Sequence, residues 1–361
     1  MRILVLNAGS STLKASLVEA GADAVASETI DWAPRDDDAT GVVRAALERL
    51  SPLADAVGYR VVHGGEDYRG ATRVDERLLE VVEALDALAP LHNRRAAAVM
   101  RAGVVALPGL PHVACFDTAF HAGLPEEAWR YPLPDEWVER WGIRRFGFHG
   151  LSVAWAVRRA AELLERPARN LRVVIAHLGS GSSVTAVDGG RSVDTSMGFT
   201  PYEGLMMGTR SGSIDPGIVL HLARDGVSTD DLADGLAHRS GLLGVAGVAG
   251  AREVERLATS GDRRARLALA MFSRRVAAAI ASASTALPAI DGLVFTGGIG
   301  ENAPVIRADI VGRLQAVHVA GDLEVTDGDA IIAAGPPSIL VVRAREDRVI
   351  ADEVEALLRE G

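Results

Sequence analysis

Lysine is nearly absent from this chain of 361 residues. It carries 38 basic side chains, and Lys14 is the only lysine among them; the rest are arginine. Cysteine is as scarce. Cys115 stands alone, which excludes an internal disulfide and any zinc site built from cysteines. No apolar run reaches membrane-spanning length, and no charged segment with a cleavage site precedes the first strand. Neither a membrane segment nor a secretion signal is expected, and the cytoplasm is the expected compartment. A net charge of -10 disfavours nucleic acid, which needs a basic face, although a locally positive cleft can still take a small phosphate ligand. Several catalytic signatures are missing too. A Walker loop needs Gly-Lys, whereas Lys14 follows Leu13. The strand lysine and catalytic loop of protein kinases, His-Glu-x-x-His and Gly-x-Ser-x-Gly are not found. P-loop ATPases, protein kinases, zincins and α/β-hydrolases are therefore excluded.

What is present reads as globular. Apolar residues make up 48% and charged residues 24%, ordinary values for a folded chain, and the length suits about two domains. Strands are expected over 3–7, 14–18, 57–62, 112–116, 173–177, 184–187, 293–296 and 339–342. Helices are expected over 76–88, 93–107, 262–287, 302–317 and 347–359. Strand, Gly/Ser turn, strand occurs twice, about 170 residues apart, and placing Gly9 on Gly179 aligns the two hairpins. A duplicated α/β domain follows, each half carrying a phosphate-gripping hairpin.

Lys14 closes the run Asn7-Ala8-Gly9-Ser10-Ser11-Thr12-Leu13-Lys14. Backbone N–H groups, hydroxyls and one compact ammonium suit a polyanion. Thr296–Ala303 contains Gly-x-Gly-x-x-Ala, but too late in the chain for a nicotinamide fold; backbone contact with a nucleotide suits it better. Arg60 sits inside an apolar strand, where a charge needs a partner or a ligand. Arg210 lies among methionines and glycines, as a surface charge or a ligand contact. His149 precedes a helix starting near Ser152, a position suited to an anion. Asp117 ends the strand 112–116, where sites form in α/β sheets. Glu346 follows the strand 339–342, where it serves a site or the helix dipole.

Taken in order, Asn7–Lys14, Arg60-Val61-Val62-His63-Gly64-Gly65, Ala89-Pro90-Leu91-His92-Asn93, Phe116–His121, Phe148-His149-Gly150, Asp194–Pro216 and Phe295–Asn302 resemble the acetate kinase family over nearly the whole chain. The resemblance implies an α/β fold of two duplicated actin-like (ribonuclease H-like) domains with a cleft between them. The N-terminal lobe would span 1–120 plus 348–361; the C-terminal lobe, 121–347, would carry the nucleotide and dimerisation regions. It implies reversible phosphoryl transfer between ATP and acetate, with Mg²⁺ or Mn²⁺. Propionate or butyrate as acceptor, and pyrophosphate as donor, are the alternatives.

The family's roles fall by motif on particular residues. Arg60, Asp117, His149 and Arg210 would be catalytic. Arg60, Val62, Leu91, Phe148 and Pro201 would surround the acceptor. Asn7, Ser10, Thr12, Lys14, His177, Gly179, Ser180, Gly181, Arg252, Gly298, Ile299, Gly300 and Asn302 would contact nucleotide and phosphates. Asn7 and Glu346 would serve the metal, and His92 and His177 are site candidates of second rank beside His149 and Asp117. The resemblance also implies a cytoplasmic homodimer with no nucleic-acid or membrane partner. Two departures bear on the donor. Ser180 replaces the family's usual asparagine, and the run Gly247–Glu253 lacks the family's aspartate, leaving Arg252 as the one match to its adenosine contacts.

Overall fold

Among the described residues twelve strands form two sheets with one shared topology. They are β1 (Arg2–Ala8), β2 (Thr12–Glu19), β3 (Ala24–Asp31), β4 (Ala56–Val61), β5 (Thr72–Arg73) and β6 (His112–Phe116), then β7 (Arg172–Leu178), β8 (Ser182–Asp188), β9 (Arg191–Thr195), β10 (Gly292–Thr296), β11 (Ala330–Ala333) and β12 (Ser338–Val341). The orders are β3-β2-β1-β4-β6-β5 and β9-β8-β7-β10-β12-β11. In both, a three-stranded antiparallel meander leads into two parallel neighbours, and an antiparallel strand closes the far edge. The structure, a computed structural model, describes residues 1–361 except 10–11, 33–38, 51–52, 90–91, 320, 322, 324–325 and 361.

The parallel strands β6 and β10 are buried at every position, as expected where helices cover both faces of a sheet. In the first sheet Leu4, Leu6, Val57, Tyr59 and Phe116 pack against Ala96 and Met100 of the helix Asn93–Ala106. In the second, Val174, Ala176 and Phe295 pack against Phe272, Val276 and Ile280 of the helix Arg263–Ser284.

The two hairpins do not align as simply as Gly9 on Gly179 suggests. Asn7 pairs with Lys14 and Ala8 with Leu13, whereas His177 pairs with Ser183 and Leu178 with Ser182. The second turn is one residue tighter. By pairing, the counterpart of Lys14 is Ser183 and not Val184, and a one-residue slip exchanges the faces of the returning strand.

The chain divides into two units. One comprises Met1–Ala122, Phe148–Trp155 and Arg345–Gly361; the other Gly123–Gly147 and Ala156–Ala344. The expected lobes put 121–347 together, but Phe148, His149 and Glu346 fall with the first sheet.

Other expectations are revised. The single helix expected over 302–317 is two helices, Gly297–Asn302 and Pro304–Gly312, followed by a 3₁₀ turn at Gln315–Val317. Pro304 has no N–H to continue the first helix and opens the second. The helix Arg263–Ser284 is, by length and composition alone, long and apolar enough to cross a bilayer, a test that a core helix also meets. Its buried face belongs to the second core, and its N-terminus is capped by Asp262, which accepts from the Ala265 N–H at 2.7 Å. The strand β3 and the helices Ala39–Leu50, Pro216–Arg224 and Thr229–His238 were not anticipated.

One close approach fixes the helix Asn93–Ala106 on the first sheet. A Cβ at Gly103 would lie 2.0 Å from the Tyr59 hydroxyl, which is buried and 2.7 Å from His112 Nδ1. Gly103→Ala should lower stability by roughly 1–3 kcal/mol, read from the urea midpoint. Adding Tyr59→Phe, which removes the obstructing atom, should restore part of the loss; no restoration would rule out this contact as the cause.

Candidate active site

The first unit gathers four polar side chains at the ends of its strands. Arg60 in β4 sets a two-pronged fork on Asp117, which follows β6: Nε reaches Oδ1 at 3.1 Å and Nη2 reaches Oδ2 at 2.6 Å. Its Nη1 donates to Asn7 Oδ1 at 3.2 Å and lies 3.6 Å from Glu346 Oε2. Asn7 Nδ2 donates to the same Glu346 oxygen at 3.0 Å. Burial opposes the Arg60 charge, but Asp117 and Glu346 outweigh it and raise its pKa. Burial also raises the Asp117 carboxyl, against the pull of Arg60 and of a hydrogen bond from the His149 N–H. Glu346 opens the helix Glu346–Glu360.

Asp117 also positions the backbone. Its N–H donates to Val61 O and its carbonyl accepts from the Gly150 N–H, each at 2.9 Å. His149 has φ +59°, in the left-handed region, and its carbonyl accepts from Val153 N–H at 2.9 Å as the helix Gly150–Leu163 begins. A non-glycine residue held there stores roughly 1–3 kcal/mol, a feature common at functional sites. Phe148 is buried beside His63, ring centroids 5.4 Å apart and edge to face. Its carbonyl is 3.1 Å from His121 Nε2, and burial pushes the His121 pKa down to about 4. Val62 is buried directly after β4. Thr12 and Lys14 lie on β2, Lys14 exposed and opposite Asn7. His92 immediately precedes the helix Asn93–Ala106. Ser10 and Leu91 lie outside the described residues.

In the second unit Arg210 is 9% exposed. Its Nη1 donates to Pro201 O at 3.0 Å, and no carboxylate partner is found for it among the described residues. Burial lowers its pKa to about 10, with Tyr202 acting in the other direction, so the group stays charged at neutral pH. A buried guanidinium with so few acceptors suits an anion.

Glycine loops converge in the same unit. Gly297 has φ +77°, and a Cβ on it would meet Leu178 O at 2.7 Å. The turn Gly297–Gly298 thus lies against the end of β7, beside His177, Gly179 and Gly181. Gly208 N–H donates to Ser180 O at 3.4 Å, and a Cβ on Gly208 would meet Ala249 O at 3.2 Å. This brings the run before Arg252 towards the second hairpin; Arg252 itself is exposed, in the first turn of the helix Ala251–Thr259. Asn302 Nδ2 donates to Gly298 O at 2.9 Å and closes the short helix holding Ile299 and Gly300.

Among the described residues no cluster of three or more His, Cys, Asp or Glu side chains could hold a metal alone. Glu346 supplies a hard carboxylate oxygen, and the Asn7 amide, which here turns its oxygen to Arg60 and its N–H to Glu346, would offer a second on flipping. That fits Mg²⁺, which keeps waters and takes further ligands from phosphates.

Sequence reasoning missed Tyr131, Arg145 and Glu203, which hydrogen-bond to the segment carrying Pro201. Their one signal is adjacency to recognised motifs, Arg145 four residues before His149 and Glu203 two after Pro201.

The repeated sheet order defines an α/β protein with two duplicated actin-like domains, the fold of the acetate and propionate kinases it superposes on. The sequence profile of the Acetokinase family matches residues 39–352, and the chain belongs to that family. It is 42% identical to an acetate kinase of Deinococcus radiodurans, covering 99% of this chain and 98% of that one. The crystal structure of a propionate kinase from Francisella tularensis superposes with a TM-score of 0.88 at 36% identity, covering 98% of both chains. That of an acetate kinase from Porphyromonas gingivalis superposes at 0.87 and 31%, covering 99% of both.

His121 makes stability pH-dependent. Its folded pKa of about 4 lies below the unfolded value of about 6.5. The unfolded chain therefore takes up a proton first as pH falls. The contribution is complete above about pH 6.5 and is lost towards pH 4, up to roughly 3 kcal/mol. His121→Gln, whose amide can donate to Phe148 O without titrating, should lose less melting temperature between pH 7.5 and 4.5 than the wild type. Equal losses would remove His121 from the account.

Proposed function

We propose that this chain catalyses the reversible transfer of a phosphoryl group between ATP and acetate, giving acetyl phosphate and ADP, by direct in-line transfer with Mg²⁺ or Mn²⁺. The observation that carries the reading is Arg210, a buried guanidinium with no carboxylate partner among the described residues. Membership of the Acetokinase family and the names of the relatives support the choice of acetate.

A carboxylate oxygen of acetate attacks the γ-phosphorus, the bond from phosphorus to the ADP oxygen breaks, and ADP departs with that electron pair. Such transfer needs alignment and charge stabilisation more than covalent chemistry by the protein. Arg210 binds the carboxylate and the moving phosphoryl group, and Arg60, held by Asp117, adds a second fixed positive charge. Each guanidinium offsets part of the repulsion between two anions. His149 donates to the phosphoryl oxygens. In the first unit Val62 and Phe148 bound the methyl group. Asn7, Lys14, the turn 179–181 and the turn 297–300 receive the phosphates and nucleotide. Glu346 and Asn7 would hold the metal, which would neutralise charge on the phosphates. The nucleotide substrate gives the reaction a cytoplasmic setting.

Propionate is the second reading, favoured by the likeness to a propionate kinase. One methylene in an apolar pocket is worth about 1–3 kcal/mol, so acetate should exceed propionate in kcat/KM by roughly 10- to 200-fold. Trapping the acyl phosphate with hydroxylamine measures both, and running ATP beside pyrophosphate tests the donor, given the altered run Gly247–Glu253. Arg210→Ala should lower kcat by about 10³-fold or more while leaving the melting temperature unchanged or raised, since it removes an uncompensated buried charge. Full activity in that variant would end the proposal.

The dimer belongs to the same reading. The helix Pro216–Arg224 buries none of its residues and exposes Ile218, Leu220 and Leu222 at 48%, 56% and 38%, apolar side chains on both sides of the helix that suit burial against a second copy. Light scattering should give twice the 37.9 kDa chain mass and a monomer for Leu220→Glu. A wild-type monomer at all concentrations would refute it.

A further inference from the structure

Beyond the residues that meet substrate, we infer that Tyr131, Arg145 and Glu203 are positioning residues that orient Arg210 through the Pro201 carbonyl; this rests on the role given to Arg210 above. All of these groups belong to the second unit.

After β9 the chain enters an irregular stretch with no ladder to fix it. Arg145 supplies what a ladder would. Its Nη1 lies within hydrogen-bond reach of three successive carbonyls, Thr195 at 3.1 Å, Ser196 at 3.2 Å and Met197 at 3.2 Å. Its Nη2 donates to Glu203 Oε1 at 3.1 Å, and its Nε to Ala128 O at 3.2 Å. The neighbouring Phe146 N–H donates to Gly198 O at 3.0 Å. Tyr131 completes the clamp. Its hydroxyl donates to Glu203 Oε2 and accepts from the Phe199 N–H at 3.0 Å, and the Arg145 guanidinium sits 5.3 Å above its ring.

The stretch is thus held at Phe199 and again at Glu203, with Thr200, Pro201 and Tyr202 between those fixed points. The middle carbonyl is the one that accepts from Arg210. A Cβ at Gly198 would lie 1.7 Å from Glu203 Oε2 and 2.0 Å from the Tyr131 hydroxyl, so the clamp closes only over a residue without a side chain. Tyr131 and Arg145 thus reach from an earlier segment to Glu203 and Phe199 and fix a short span whose hydrogen bond to the buried guanidinium is accepted by Pro201 O. Loosening the clamp frees that carbonyl, and Arg210 loses its orientation while keeping its charge.

Tyr131→Phe keeps the ring and removes the hydroxyl. It should lower kcat/KM for the carboxylate about tenfold or more, with KM for ATP changed by less than about twofold. Glu203→Gln, which preserves shape, should fall less than Glu203→Ala. The decisive readout needs no substrate. The Nε–Hε nuclear magnetic resonance signal of Arg210, assigned by its disappearance in Arg210→Lys, should be sharp in the wild type and broadened in Tyr131→Phe and Glu203→Ala. A sharp, unshifted signal in both variants overturns the inference, whatever happens to melting temperature. If Arg210 loosens but no donor phosphorylates acetate even in the wild type, the positioning inference stands and the assigned reaction falls.

Discussion

A guanidinium taken out of water must find acceptors or destabilise the fold, and the two arginines of this chain meet that demand in opposite ways. Arg60 is surrounded by oxygen: both oxygens of Asp117, the Asn7 amide and Glu346. Arg210 is as well buried and has the Pro201 carbonyl. The first arrangement is complete in the free protein. On the proposed reading an anion completes the second, so part of its binding energy is already present as unsatisfied charge. In the second unit that asymmetry sets the demand on the surrounding chain, because a fold that stores an uncompensated cation must hold it rigidly.

Asp117 is the fixed point of the first unit. One residue ends β6, forks onto Arg60, accepts from the His149 N–H and receives the Gly150 N–H on its carbonyl. The left-handed backbone at His149 is held by those contacts. A side chain buried to this degree would be costly as a lone carboxylate; joined to strand end, arginine and helix start it becomes a joint.

Much of this was legible in the sequence because it lies in short segments. The hairpins are visible as alternating apolar residues around Gly/Ser turns, and Arg60 is conspicuous because charge inside an apolar strand demands a reason. Arg210, Asp117 and His149 each sit in a motif of a few adjacent residues. The clamp was not legible. Tyr131, Arg145 and Glu203 are single residues from separated segments, and the stretch they hold has no periodicity to betray its shape. Nor was the break at Pro304 credited, since the apolar spacing runs on across it although the proline ends the first helix. The one-residue difference between the two turns was hidden for a similar reason: strand pairing depends on register, and the spacing of two glycines does not report it.

Lys14 invites one last consequence. It is the only lysine, it is exposed, and it stands on β2 across from Asn7. Amine-directed dyes and crosslinkers, which scatter over most proteins, have here a single side-chain address besides the terminal amine. A fluorophore attached there would stand on the first hairpin without any engineered cysteine, so that the scarcity noted at the outset becomes a built-in labelling handle.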